Sequence, residues 1–126
     1  MEEKKMAKKI CVIKTSLRLN SNSDQLADAF IQSAKESGND VIEISLKDKK
    51  IAFCKGCLGC QKLGHCVIDD DANIITEKIK QADVIVWATP IYYYEMSGQM
   101  KVMIDRANSL YTSNRCREKS ILRALL

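Results

Sequence analysis

Four cysteines fall within thirteen residues, Cys54, Cys57, Cys60 and Cys66, in the pattern C-x2-C-x2-C-x5-C. Thiolates spaced this tightly can converge on one metal centre, and compact cysteine runs hold iron–sulfur clusters, which are electron carriers. The intervening loops are too short for a disulfide framework. In a reducing compartment, clustered cysteines serve as metal ligands or redox groups more often than as structural bridges. Three chemistries stay open: a cluster held by four thiolates, a zinc ion, and free thiols kept as a loop element. Structural zinc sites usually draw on two separated knuckles, whereas here the five-residue gap gives Cys66 room to swing back to the centre shared by the other three. Of the remaining cysteines, Cys11 lies in an apolar run and reads as a small core residue, and Cys116 has no assigned role. His65, the only histidine, lies inside the cysteine loop and is expected to be exposed.

Two further segments carry candidate chemistry. Thr15 to Ser23 is crowded with small donors: the hydroxyls of Ser16, Ser21 and Ser23, the amide of Asn22 and the guanidinium of Arg18. A helix is expected to begin directly afterwards, so its free N–H groups would face the same loop. That combination suits a phosphate monoester, although the same residues also make an ordinary polar turn with an N-cap. Neither a Walker pattern nor G-x-G-x-x-G is present, so a nucleoside triphosphate or a dinucleotide is not the first expectation. The second segment is Thr89-Pro90-Ile91-Tyr92-Tyr93-Tyr94-Glu95-Met96-Ser97-Gly98. A flat apolar ring could lie against Pro90 and a tyrosine face, or the tyrosines could pack on the core or a partner subunit. Three adjacent tyrosines cannot all face one ligand, and Tyr92 and Tyr93 are favoured.

The elements that must position these segments follow from periodicity. Ile10 to Ile13 predicts a buried strand, and Asp24 to Ser37 a helix with Leu26, Ala27, Phe30, Ile31 and Ala34 on one face. Val41 to Leu46 alternates like an edge strand. After the cysteine loop, Asp69, Asp70 and Asp71 open a second helix, where negative charge suits the dipole, with Ile74, Ile75, Ile79 and Ala82 buried. Val84 to Ala88 has no polar face, as in a strand covered on both sides. A third helix is expected over Gln99 to Asn108, with Ser97 as its N-cap. This βαβαβα order predicts a three-layer α/β sandwich with a parallel sheet. The first strand lies between the other two, and the ligand site is outside the carboxyl ends of the first and third strands.

A chain of 126 residues suits one domain, here 8–111 between a charged tail at 1–7 and an atypical tail at 112–126. Net charge is +4, but the basic residues are scattered, so no nucleic-acid-tracking stripe is expected. No apolar signal region follows the N-terminus, and the longest apolar run is far short of a membrane span; a cytoplasmic protein without membrane contact is the default.

With these segments together, the chain resembles the flavodoxin-like NAD(P)H-dependent FMN reductase family, and within it the iron–sulfur flavoproteins are nearest in pattern. The likeness is carried by Thr15-Ser16-Leu17-Arg18, Ser21-Asn22-Ser23, the spaced cysteines and Cys66-Val67-Ile68-Asp69-Asp70. Thr89-Pro90-Ile91-Tyr92 and Ser97-Gly98-Gln99-Met100-Lys101 through Asp105-Arg106 complete it. The resemblance implies that Ser16, Arg18, Ser21, Asn22 and Ser23 grip the FMN phosphate. It implies that Pro90, Ile91, Tyr92 and Tyr93 flank the isoalloxazine, and that Cys54, Cys57, Cys60 and Cys66 hold a [4Fe–4S] cluster. NAD(P)H would deliver hydride to the flavin, with no side chain acting as acid or base. A homo-oligomer and an electron-transfer protein are the partners it suggests.

A flavin and cluster carrier without its own substrate, and an inactive fragment, are the alternatives. Thr15 and Leu17 stand where the family often has Gly and Pro, which predicts a less rigid loop of weaker phosphate affinity. The family fold normally continues into two more strands. Here it is expected to be cut short after the third helix, with at most one short helix over 117–126 and the third strand left as an open edge.

Overall fold

The computed structural model describes residues 7–112 and 120–125, with side-chain detail over 7–111. The charged tail expected at 1–7 therefore lies, but for residue 7, outside the described residues, as does Cys116. The elements run β1 (Lys9–Lys14), α1 (Asn22–Glu36), β2 (Asp40–Ser45), α2 (Cys60–Leu63), α3 (Asp71–Gln81), β3 (Val84–Thr89), β4 (Ile91–Tyr92), β5 (Glu95–Met96), α4 (Gly98–Arg106), α5 (Asn108–Thr112) and β6 (Ser120–Leu125).

The main sheet has the order β2-β1-β3-β6, parallel throughout, with Ile13 opposite Ile44 on one side and opposite Trp87 on the other. β1 thus lies between β2 and β3, as its uninterrupted apolar run predicts. Because side chains alternate across a strand, β1 and β3 feed two cores at once. Cys11, Ile13, Ile85 and Trp87 join Ala72, Ile75 and Ile79 of α3 and Met100 and Met103 of α4. On the opposite face Ile10, Val12, Val86 and Ala88 join Ala27, Ile31 and Ala34 of α1. Burial pushes the Cys11 thiol up to about 11, against a smaller opposing pull from Lys78, as befits a core residue rather than a reactive one.

Three expectations are corrected. Leu26 of α1 and Ile74 of α3 are 44% and 60% exposed, because each lies at the margin of its apolar stripe, where the helix turns away from the sheet. The C-terminal segment does not supply a helix over 120–125. It forms β6, which pairs in parallel with β3 from Val84–Ser120 to Thr89–Leu125, so this edge of β3 is covered. Its sequence, Ser-Ile-Leu-Arg-Ala-Leu, favours helix locally. A free row of β3 backbone groups favours strand, and tertiary pairing overrides the local preference. Among the described residues no helix is long and apolar enough to cross a membrane.

Candidate functional site

The parallel register brings the carboxyl ends of β1 and β3 side by side, Lys14 opposite Ala88, so the loops that leave them start as neighbours. Hydrogen bonds then tie these loops together. The Thr15 amide and hydroxyl both donate to the Ala88 carbonyl at 2.9 Å. The Thr15 hydroxyl also lies 3.3 Å from that of Ser97, and Thr89 Oγ1 donates to Ser97 Oγ at 3.1 Å. Ser97 N donates to Thr89 Oγ1 at 3.1 Å, and Gln99 Nε2 reaches the Thr15 carbonyl at 2.7 Å. Thr15, Thr89 and Ser97 are fully buried. Ser97 also caps α4, accepting from Met100 N.

In the first loop Ser16, Ser21 and Ser23 are buried while Arg18 and Asn22 are exposed. Ser21 is the N-cap of α1, accepting from Asp24 N at 3.2 Å, and its hydroxyl lies 3.1 Å from that of Ser23. The Ser16 hydroxyl makes only contacts of 3.3 and 3.4 Å within the loop, long for an oxygen donor, so it is weakly committed. Asp24, in the first turn behind these hydroxyls, would repel an anion. Lys47, just after β2, pairs with it at 2.6 Å. Thr15 has no positive φ, so the conflict expected from a threonine in place of glycine does not arise, and its hydroxyl instead joins the two loops.

The second loop is a small antiparallel hairpin, β4 against β5. Pro90 is half-buried, Ile91 and Tyr92 are exposed, and Tyr93 and Tyr94 at the tip are each 95% exposed. Both tip residues have positive φ, 49° and 64°, the geometry of a two-residue turn that Asn-Gly satisfies without strain. The double substitution Tyr93→Asn with Tyr94→Gly is therefore expected to raise stability by about 1–2 kcal/mol, measured by urea unfolding.

The cysteine loop is closed at its base like a purse. Lys50 N donates to Asp71 Oδ2 at 2.7 Å and Ala52 N to Asp70 Oδ2 at 2.8 Å. Asn73 Nδ2 donates to the carbonyls of Cys66 and Ile68. Through the middle runs Arg106, 2% exposed. Its Nη1 donates to Asp70 Oδ2 at 2.7 Å and to the Ala52 carbonyl at 3.0 Å. Its Nη2 donates to Asp70 Oδ1 at 2.8 Å and to the Ile68 carbonyl at 3.1 Å. One guanidinium fork thus joins both ends of the loop to α4. Asp70 is also the N-cap of α3, so the aspartates expected to serve the helix dipole also clasp the loop.

Burial would raise the Asp70 pKa, but hydrogen bonds from Arg106, Ala52 and Ala72 outweigh it and hold the carboxyl below its ordinary value of 3.8. A lowered native pKa contributes stability that is fully present above the unfolded value and is lost as pH falls through the native one. Asp70→Asn should therefore flatten the fall in stability below about pH 4, read by urea unfolding across pH.

All four thiols line one cavity of about 210 Å3, shared with Arg106, Asn108 and Ser109. Cys54 and Cys57 are exposed, and Cys60 and Cys66 half-buried. Backbone N–H groups face two sulfurs: Gly56 N to Cys54 Sγ and Ile68 N to Cys66 Sγ, both 3.4 Å. Gly56 adopts φ 69° and Leu58 φ 61°. A Cβ at Gly59 would meet Val67 Cγ1 at 2.8 Å, so a larger residue there would push the exposed Val67 side chain aside. Among the described residues no three His, Cys, Asp or Glu side chains gather as they would around a single metal ion. Four thiols on one cavity are the donor set that a polynuclear cluster uses. His65 is exposed and its Nδ1 lies 3.0 Å from the Cys66 carbonyl.

Sequence reasoning missed the tether of Thr15, Thr89, Ser97 and Gln99 as a unit, and the Asp70–Arg106 clasp. The signals were a set of hydroxyl residues at the two strand ends and a lone arginine on the buried face of α4. Among the described residues, the four non-glycine residues with positive φ are Asn20, Leu58, Tyr93 and Tyr94, which lie in the three loops singled out by their chemistry. Backbone strain of this kind persists where the surroundings over-determine it.

A family model described as NADPH-dependent FMN reductase matches residues 8–124. The chain is 35% identical over 106 residues to an iron–sulfur flavoprotein of Methanosarcina thermophila, covering 84% of this chain and 56% of that protein. It is 34% identical over 91 residues to an iron–sulfur flavoprotein of Archaeoglobus fulgidus, covering 72% and 41%. The chain thus spans about half the length of these relatives. In fold it matches an NAD(P)H:quinone oxidoreductase from Methanothermobacter marburgensis, with a TM-score of 0.67 at 15% identity over 81% of this chain and 53% of that one.

Proposed function

Because the chain belongs to the NADPH-dependent FMN reductase family, we propose that it supplies the FMN-binding part of an NAD(P)H-dependent oxidoreductase that relays electrons through a [4Fe–4S] cluster. The observation that carries this is the tether between the two loops at the carboxyl ends of β1 and β3. It supports a mononucleotide held across the switch point of the sheet, where α/β folds bind ligands.

Ser16, Ser21, Ser23, Asn22 and Arg18 hold the phosphate, aided by the first free N–H groups of α1. Lys47 neutralises Asp24 beside that anion. Pro90, Ile91, Tyr92 and Tyr93 bound the isoalloxazine, and the tether fixes the distance between phosphate and ring. Bound FMN would supply hydride acceptance from NAD(P)H and one-electron release, and Cys54, Cys57, Cys60 and Cys66 would hold the cluster that takes those electrons. The side chains bind, orient and exclude water, and none is required to move a proton.

The test is anaerobic NAD(P)H oxidation by the FMN- and iron-loaded protein with an artificial acceptor. Steady consumption is expected. A flavin that is reduced only by a partner reductase would make this chain part of an electron carrier instead, and a protein that takes up no FMN would reject both roles.

A further inference from the structure

A guanidinium has five N–H donors, and Arg106 uses its two terminal nitrogens on Asp70, Ala52 and Ile68. Its Nε is buried and meets no partner of hydrogen-bonding geometry among the described residues. A buried donor left unpaired is costly, and this side chain lines the cavity shared by the four thiols. Asp70 holds the guanidinium in place at 2.7 Å, and one buried donor remains unspent on the wall of the thiol cavity.

We propose that Arg106 is a redox-tuning residue for the cluster: its charge and its unspent Nε–H, in the cavity that Cys66 lines, favour the reduced form. Reduction adds one electron, and hence one negative charge, to the cluster. A buried cation and an N–H donor to a ligand sulfur stabilise that added charge, and hydrogen bonds to sulfur and local charge are what set cluster potentials. Asp70 opposes the effect, because its carboxylate neutralises the same cation from the far side at 2.7 and 2.8 Å. The pair should therefore act on the potential with opposite signs. This inference rests on the cluster assignment above.

The experiment is a dithionite redox titration of the iron-loaded protein, followed by visible absorbance and electron paramagnetic resonance, on the unsubstituted protein, Arg106→Lys and Asp70→Asn. Arg106→Lys keeps a cation for Asp70 but gives up Nε–H, and its cluster should titrate at a lower potential. Asp70→Asn keeps the arginine and removes its countercharge, and its cluster should titrate at a higher one. Equal potentials in the three proteins, or shifts of one sign in both variants, would overturn the proposal. If Arg106→Lys does not fold, the sign seen in Asp70→Asn decides alone: upward supports it, unchanged or downward overturns it. An unsubstituted protein that binds no iron would instead reject the cluster assignment, a result distinct from iron-loaded proteins with equal potentials.

Discussion

Arg106→Met is expected to destabilise the fold by about 3–5 kcal/mol, the cost of removing one partner from a buried ion pair. The side chain of Arg106 is fully buried and that of Asp70 14% exposed, so the carboxylate left behind recovers only part of the lost interaction from bulk water. The substitution also strips donors from the Ala52 and Ile68 carbonyls, which frees both ends of the cysteine loop at once. Against a total stability of roughly 5–15 kcal/mol for a domain, a loss of that size leaves a marginal protein. Urea unfolding measures it. A loss below about 1 kcal/mol, the range of exposed pairs, would show that the clasp is not structural.

Cys57→Ala is expected to remove the cluster altogether, with no broad brown absorbance and no bleaching by dithionite after iron loading, while FMN still binds. A [4Fe–4S] centre needs its four thiolates, and in this loop no other described cysteine lies near enough in sequence to replace the lost one: Cys11 is buried in the sheet. The substitution leaves Thr15, Thr89 and Ser97 untouched, so the flavin loops keep their tether. Loss of FMN without any effect on iron would contradict the division of labour between the two sites.

Much of this arrangement is legible in the residues themselves. The apolar runs at Ile10–Ile13 and Val84–Ala88 are strands because nothing polar interrupts them, and their both-sided burial makes them the middle of a sheet. Ser97 declares itself as a cap by preceding a helical pattern, and it caps α4. What periodicity cannot show is partnership across long separations. Thr15 and Gln99 are 84 residues apart and bond through one carbonyl. Asp70 and Arg106 are 36 apart, and each reads alone as an ordinary charged residue of a helix. The strand at Ser120–Leu125 was hidden for a related reason: its composition suits a helix, and only the free edge of β3 makes it a strand.

The same loop that holds the cysteines shows how strain and glycine use can be read once coordinates are known. Gly56 is favoured by its φ of 69°, and Gly59 leaves room for Val67 Cγ1, 2.8 Å from where a Cβ would stand. Neither follows from the sequence, in which both are merely the small residues between cysteines. Leu58 adopts a positive φ without the freedom of glycine.

The most direct measurement of the central claim compares FMN with riboflavin, which lacks only the phosphate, by quenching of flavin fluorescence on titration with the protein. If the loop of Ser16 to Ser23 holds the phosphate while the tethered hairpin holds the ring, FMN is quenched saturably. Riboflavin then binds at least roughly tenfold more weakly, a difference of about 1.4 kcal/mol or more. Equal binding of the two, or no quenching of either, would contradict a mononucleotide site built across these two loops.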